Sequence, residues 1–202
     1  HQLRRKHQLR RKHQLRRKHQ LRRKLTNMFS QKYIEELRVI HADTSRKKGF
    51  GGALKKLGQF HNYMEQWKPS SVLDYGCGKG TILVSLSEQY PDTNFIGYDP
   101  AVIHYANTAT NADCVFSNDV LEHIEPNHII SVLTHINSLS AHYVWLRIDT
   151  IPARKRLSDG RNAHLILESS EWWTDIIQRN ISGKIVYSEL TKKGKFDIAI
   201  EK

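Results

Sequence analysis

Asp74-Tyr75-Gly76-Cys77-Gly78-Lys79-Gly80 sets a carboxylate and three glycines at every second position. The apolar residues before it predict a strand from Ser71 to Asp74, and those after it a helix from Thr81 to Tyr90. Glycines in such a turn reach positive φ and let backbone approach a ligand without a Cβ in the way. The helix N-terminus that follows offers N–H groups to an anion. A second strand, Phe95-Ile96-Gly97-Tyr98, ends at Asp99-Pro100, and Asp99 stands 19 residues after Gly80. A carboxylate about 20 residues beyond a Gly-rich turn is placed to hydrogen-bond ribose hydroxyls.

The ligand can be narrowed by elimination. A dinucleotide fingerprint, counted from Gly76 and Gly78, would end in glycine where Thr81 stands. A phosphate-binding loop needs Lys next to Ser or Thr, and Gly78-Lys79-Gly80-Thr81 lacks that adjacency. Asp74 at the strand tip repels a pyrophosphate but suits an ammonium group. A nucleoside with an amino-acid tail fits best, with Asp74 facing the amine, the loop N–H groups facing the carboxylate and Asp99 on the ribose. S-adenosylmethionine (SAM) is such a molecule. Contacts to it are expected from Asp74, Gly76, Cys77, Gly78, Gly80, Asp99 and Pro100, and from Asn118, Asp119 and Val120 after a later strand.

The segments VLDYGCGKG (72–80), FIGYDP (95–100) and DCVFSNDVLEHIEP (113–126) resemble class I SAM-dependent methyltransferases. SDGRNAHLILESSEWW (158–173) is similar to compact methyltransferases often encoded by tailed phages. The resemblance runs over roughly residues 28 to 202. It implies a Rossmann-like fold, SAM as cofactor and methyl transfer to an acceptor. It also implies that, in related O-methyltransferases, residues after the 114–117 strand help to hold a divalent metal. No metal ligand set is assigned from the sequence itself.

Methyl transfer from a sulfonium is an in-line displacement on an activated donor, so the enzyme mostly aligns its reactants. A base is needed only where the acceptor carries a proton at pH 7. Three residues are candidates for catalysis. Asp119 is read near the cofactor and His123 toward the acceptor, the other reading being that Glu122 and His123 orient the next helix. His164 is read as a polar contact or base on a substrate-facing lid, or as a histidine hydrogen-bonded within the fold. Trp172 and Trp173 are read as core, the other reading being a stack on an aromatic acceptor, and Arg46-Lys47-Lys48 as a solvated loop in preference to a clamp on an anionic substrate. Asn118-Asp119-Val120-Leu121 lacks the Pro-Pro segment of DNA amino-methyltransferases, and Cys114 follows Asp113 where cytosine-C5 enzymes need Pro-Cys. The expected acceptor is therefore a small molecule, a sugar or a protein before a DNA base. The rival functions are a non-catalytic SAM-binding or assembly protein, and a nucleic-acid-binding factor.

These residues must be carried by alternating strands and helices. Apolar spacing predicts helices over about 29–42 and from Leu54 to Trp67, and a helix from Pro126 through Ser140. Strands are predicted at 94–98, Cys114 to Ser117 and His142 to Ile148, with a short helix between Pro100 and Thr110. A helix capped by Ser169 or Ser170 runs to Asn180, and a hairpin turns at Lys193-Gly194. The expected fold class is α/β, Rossmann-like, a mostly parallel sheet with a C-terminal antiparallel hairpin strand. Asp99 and Asp113 lie only 14 positions apart, too few for a helix, a strand and their turns. The usual third strand is therefore expected to be absent. The acid that contacts adenine cannot be carried over with it, which leaves Asp113, Asn118 or Val120 for that pocket.

The chain of 202 residues has a formal net charge of +12. Residues 1–24 are four copies of His-Gln-Leu-Arg-Arg-Lys and carry 12 of the 32 basic residues, so the other 20 balance the 20 acidic ones. Leu3, Leu9, Leu15 and Leu21 step by 240° on a helix and build no apolar face. Residues 1–27 are therefore expected to be a disordered basic arm, and 28–202 the methyltransferase domain. The chain begins without Met, and Met28 directly precedes the first amphipathic helix, so the repeat is also readable as translated from upstream of the true start. Two cysteines, neither in a disulfide or zinc pattern, point to a reducing cytoplasm (the host's, if phage-encoded). No run approaches the roughly 18 apolar residues of a membrane span, so no membrane partner is expected. Nucleic acid is a possible non-specific partner through the arm, which has no aromatic residue to stack on bases. Full-length protein should bind RNA and DNA alike at low salt and release both near physiological salt. Protein lacking residues 1–27 should bind neither in a filter assay; tight, salt-resistant binding by it would defeat this reading.

Overall fold

A computed structural model describes residues 29–42, 57–106 and 109–202. The basic repeat, the 46–52 loop and Leu54 lie outside the described residues. The elements in chain order are α1 (Gln31–Ala42), α2 (Gly58–Trp67), β1 (Ser71–Tyr75), α3 (Thr81–Gln89), β2 (Asn94–Tyr98) and β3 (Ala112–Asn118). Two 3-10 turns follow, Leu121–His123 and Pro126–His128, and then α4 (Ile129–Leu139), β4 (Ser140–Asp149), α5 (Ser170–Asn180), β5 (Lys184–Leu190) and β6 (Lys195–Glu201).

The six strands form one sheet in the order β2-β1-β3-β4-β6-β5. β2, β1, β3 and β4 pair in parallel, while β6 runs antiparallel to both its neighbours. This is the expected mostly parallel sheet with an antiparallel hairpin strand. Among the described residues no strand lies between β2 and β3, so β2 is the sheet's edge, as the short interval predicted. The short helix expected between Pro100 and Thr110 does not form over the described residues there. Turns closed by Val102 N–H to Asp99 O and Tyr105 N–H to Val102 O take its place. Asp99 Oδ1 accepts the Ala101 N–H at 2.8 Å within the first of these turns.

Central strands are buried on both faces, and alternate residues feed two cores. Leu73, Val115, Val144, Leu146 and Ile198 pack with α4 and α5, where Val132, Leu133, Ile136, Trp173 and Ile177 face inward. Val72, Cys114, Phe116, Trp145 and Ala199 pack with Phe60, Met64 and Trp67 of α2 and Ile82 and Leu86 of α3. Trp173 is fully buried and Trp172 packs beside it, the core role read from the sequence. Ser169 caps α5 by accepting the Trp172 N–H.

One charged pair lies inside the sheet. Arg147 of β4 and Asp197 of β6 are cross-strand neighbours, 7% and 1% exposed, and the guanidinium meets the carboxylate through both Nε and Nη2. The Arg147 carbonyl accepts the Asp119 N–H at 2.9 Å, so the pair also supports the tip of the next loop. Removing one partner leaves an uncompensated buried charge. Asp197→Ala should destabilise the protein by about 3–5 kcal/mol in urea unfolding, whereas Arg147→Met with Asp197→Leu should recover most of that loss. A single variant that unfolds like the wild type would show that the pair is not a structural support.

Candidate functional site

The C-terminal ends of β1, β2, β3 and β4 open into a cavity of about 560 Å³. Parallel pairing in register, with Asp74 opposite Gly97 and Tyr75 opposite Tyr98, brings the loops after β1 and β2 together. Gly76 and Cys77 both donate their N–H to the Tyr98 carbonyl, at 2.7 and 3.2 Å. Gly78 N–H donates to Asp99 Oδ2 at 3.0 Å. Gly76 has φ 84°, and a Cβ there would overlap the Val120 side chain.

This bonding corrects one expectation. The amides of Gly76, Cys77 and Gly78 are engaged with the end of β2, so they hold the loop together and do not present free N–H groups to a ligand carboxylate. Gly80 is displaced from the site as well: it does not line the cavity, and a Cβ on it would run into the Tyr105 phenol. Its glycine is required by that contact and by its φ of 74° at the start of α3. Asp113 is at the opposite end of β3, where it accepts from the Ser70 backbone and hydroxyl, so it cannot reach adenine.

The structure brings the other residues expected at the cofactor to one cavity. Asp74, Gly76, Cys77, Gly78, Asp99 and Pro100 line one end of the cavity, and Asn118, Asp119 and Val120 line its floor. Asp99 holds one backbone N–H on each oxygen and keeps a lone pair on each for a hydroxyl donor. Asp74 is 3% exposed, and among the described residues no cation pairs with it. Burial first, and the nearby Asp99 second, push its carboxyl up to about 7. Such a site favours a ligand that is positive next to Asp74 and carries hydroxyls next to Asp99, which are features of SAM.

α1 walls the cavity with Phe29, Tyr33, Leu37 and His41. It is fastened at its start, where Ser30 donates N–H and O–H to Glu125, each at 2.9 Å. The Tyr33 hydroxyl donates to the His123 carbonyl. The segment 151–164 closes the facing side and is tied to α1 where Ser158 N–H donates to Glu36 at 2.6 Å. The amphipathic pattern of α1 was legible, but its place over the site was not, since a stripe of apolar residues does not name the surface it meets.

Asp119, His123 and His164 all line the cavity. Asp119 has φ 55°, and its carboxylate pairs with Lys195 at 2.9 Å; Lys195 also binds Asp149 at 2.7 Å. Burial opposes the Lys195 charge, but the two carboxylates outweigh it and hold the ammonium above its ordinary range. His123 donates Nδ1–H to the Ala163 carbonyl at 2.7 Å, and its ring meets His164 edge-on at 4.8 Å. Burial, and then His164, lower the His123 imidazole to about 4. At that value it is a weak base. His164 donates Nδ1–H to the Ile151 carbonyl at 2.5 Å. Lys195 and Asp149 escaped the sequence reading because they are far apart in the chain and meet only through the β4–β6 pairing.

A family model for a methyltransferase domain matches residues 43–185. The fold is similar to that of a Burkholderia thailandensis 1,6-didemethyltoxoflavin-N1-methyltransferase solved with 1,6-didemethyltoxoflavin and S-adenosylhomocysteine. That similarity has a TM-score of 0.62 and 16% identity and covers 85% of this chain and 89% of that one. It is also similar to a magnesium protoporphyrin IX methyltransferase from Synechocystis PCC 6803 with bound SAM, at TM-score 0.57 and 16% identity over 84% and 95% of the two chains. An O-methyltransferase family protein from Burkholderia thailandensis gives TM-score 0.57 and 14% identity over 83% and 63%. No curated protein matches the sequence.

Asp74 makes cofactor binding depend on pH. The folded, ligand-free protein holds its proton up to about pH 7, while the unfolded chain releases it near 3.8. The native state therefore binds more protons across that window, and Asp74 costs stability as pH rises through it. A cationic ligand binds the ionised form, so SAM affinity should rise between pH 5.5 and 7.5, by up to about tenfold per unit well below pH 7. Asp74→Asn should flatten that dependence and weaken binding, yet raise the melting temperature of the free protein at pH 8. Calorimetric affinity that is level across the range would contradict this.

Proposed function

The chain belongs to the methyltransferase-domain family and uses SAM, and we propose that it methylates a small acceptor, a metabolite or sugar, that carries an acidic group. The observation that carries this reading is the shape and charge of one continuous cavity. At about 560 Å³ and roofed by α1 and the 151–164 segment, it suits a small ligand beside the cofactor better than a duplex or a folded protein surface. Arg154, Lys155 and Lys193 also line the cavity, and they would attract a carboxylate or phosphate on the acceptor.

SAM supplies a methyl group already activated by a positive sulfur. The residues of the chain bind and align. Asp74 balances the positive end of the cofactor, and Asp99 holds its ribose hydroxyls. Val120, set against Gly76, fixes the floor between them. Closure by α1 keeps water from the nucleophile, and alignment within a closed site supplies much of the acceleration. The acceptor's nucleophilic atom approaches from the side of His123, His164 and Lys195. An oxygen acceptor fits the polar character of that side.

The test is a methyl-transfer screen with labelled SAM against separated metabolite, protein and RNA pools. Label should enter the small-molecule pool and be retained on an anion exchanger. Arg154→Ala should raise KM for that acceptor several-fold with little change in kcat, as expected when a contact made equally in ground and transition states is lost. Label confined to protein or RNA would overturn the small-acceptor reading.

A further inference from the structure

Two loops carry exposed cations to the rim of the cavity, and both loops are fixed by hydrogen bonds. The β5–β6 turn is closed by Gly194 N–H to the Thr191 carbonyl at 3.0 Å, Thr191 N–H to the Lys195 carbonyl at 2.8 Å and Lys195 N–H to Thr191 Oγ1 at 3.1 Å. The turn is fastened in its turn to the end of β4, because the Gly194 carbonyl accepts both the N–H and the hydroxyl of Thr150, at 2.8 and 2.9 Å. Lys192 and Lys193 are the two residues that this turn projects, and Lys193 lines the cavity. The second loop carries Arg154. Asn162 grips the residue before it, accepting the Ala153 N–H at 3.0 Å and donating to the Ala153 carbonyl at 2.9 Å. The residue after it is held where the Lys155 carbonyl accepts the Ala163 N–H at 3.1 Å. The backbone on both sides of Arg154 is thus fixed, while its side chain is exposed and lines the cavity.

The charges of these loops are not balanced within the protein. Lys195 is spent on Asp119 and Asp149, Arg161 on Asp159, and the Arg156 guanidinium on the Gly160 carbonyl. Among the described residues no acid pairs with Arg154, Lys192 or Lys193. The turn needs a residue at positive φ, which Gly194 supplies at 76°, but nothing in its geometry calls for two lysines. Adjacent unpaired cations repel one another, and an anion relieves that repulsion. The rim of a cleft lined by one sign of charge also concentrates ligands of the other sign. A carboxylate brings a single charge to three cations, whereas a phosphate monoester brings about 1.5 to 2 at pH 7. Arginine meets phosphate oxygens through its planar fork, and lysine meets them as a point charge.

We propose that Arg154 and the Lys192-Lys193 turn form a subsite for a phosphate monoester carried by the acceptor. Arg154 and Lys193 hold the phosphoryl oxygens at the cavity wall, and Lys192 adds its charge beside Lys193. The role of the subsite rests on the proposed methyl transfer; its binding of a phosphoryl group does not. The phosphoryl group takes no part in the reaction. It anchors the acceptor at the rim and leaves the body of the molecule in the cavity, where the nucleophilic atom meets the methyl group. Because both loops are fixed before the ligand arrives, little ordering of backbone is needed to form the contacts.

Phenyl phosphate and benzoate test the subsite, since they share a ring and differ in the anion. Each is titrated by calorimetry into the full chain saturated with S-adenosylhomocysteine, at about 150 mM salt to screen distant charges. Every protein compared carries the same basic repeat, so the differences between variants are what is read. Phenyl phosphate should bind about tenfold more tightly than benzoate. Arg154→Ala and Lys193→Ala should each weaken it by roughly five- to tenfold, and Lys184→Ala, at the other end of β5, should not. All three residues are exposed, and melting temperatures matching the wild type report folding. Equal affinity for the two probes, or binding that neither rim variant changes, would overturn the subsite. Vesicles of phosphatidylcholine with phosphatidic acid separate the sources of the group. Sedimentation with them that depends on Lys193, in place of phenyl phosphate binding, would sustain the phosphoryl chemistry with a lipid headgroup as its source; failure of both probes would overturn it. The subsite and the small-acceptor reading fail separately in the labelled-SAM screen. Phosphatase should release the labelled product from the anion exchanger. A labelled small acid that phosphatase leaves on the exchanger would sustain the small-acceptor reading and overturn the phosphate subsite. Label confined to protein or RNA, with phenyl phosphate binding that depends on Lys193, would do the reverse.

Discussion

Parallel pairing of β1 with β2 brings Asp74 and Asp99 to the same end of the sheet, both of them buried. The two carboxylates are treated unequally. Asp99 is met by the amides of Gly78 and Ala101, which suit an anion. Asp74 is raised by burial and by Asp99 itself. Ionising Asp74 therefore sets two buried carboxylates against each other, which the free protein avoids below about pH 7 by keeping the Asp74 proton. Most of the loop's hydrogen bonds keep that arrangement in place: Tyr98 O takes two amides, and Asp99 takes a third. The glycine turn thus acts first as a clamp between strands and only second as a lining for the ligand.

The far side of the cavity is organised around Glu122. Its carbonyl gathers 165–166, its carboxylate gathers the end of β4, and the turn it occupies carries His123. The neighbouring support is the Arg147–Asp197 pair, whose β4 member bonds the Asp119 N–H. Lys195 then joins Asp119 to Asp149 across three strands' ends. Removing the proton acceptors from solvent in this way fixes their positions at the cost of desolvation. The same trade recurs at active sites, where preorganised polar groups are worth more than stability.

Local signals made one half of this site readable. The Asp-x-Gly-x-Gly-x-Gly run and Asp99 are close in sequence and are joined by one βα unit, so their meeting follows from connectivity alone. The missing third strand and the antiparallel hairpin were legible for the same reason: each depends on segment length and period. The other side of the cavity was legible only in part, through Asp119, His123 and His164. Lys195, Asp149 and Glu122 meet through pairings that span from β3 to β6, and α1 reaches the cavity from before the first strand. A sequence shows that Glu122 precedes His123; it does not show that His164 returns to them. The loop amides misled for a different reason. Glycine spacing reports that backbone must come close to something, and here that partner is the β2 terminus.

The shortened interval after Asp99 has a structural consequence of its own. Without a third strand, β2 is an edge, and its outer neighbourhood must be filled by what the 100–106 turns can supply. Tyr105 does this. Its amide is bonded to Val102 O, its carbonyl takes the Asp99 N–H, and its ring packs over Gly80 and Gly97, where any Cβ would collide with it. Two glycines on separate elements are thus explained by one side chain. A single aromatic ring occupies the ground beside the glycine loop, and the turn it anchors holds Asp99 and Pro100 at the cavity edge. The usual acid for adenine has no strand to stand on, and Asp113 is at the wrong end of β3. Pro100, Val120 and Asp99 all line the cavity. The geometry of the Asp99 carboxylate thus depends on a turn closed by Tyr105.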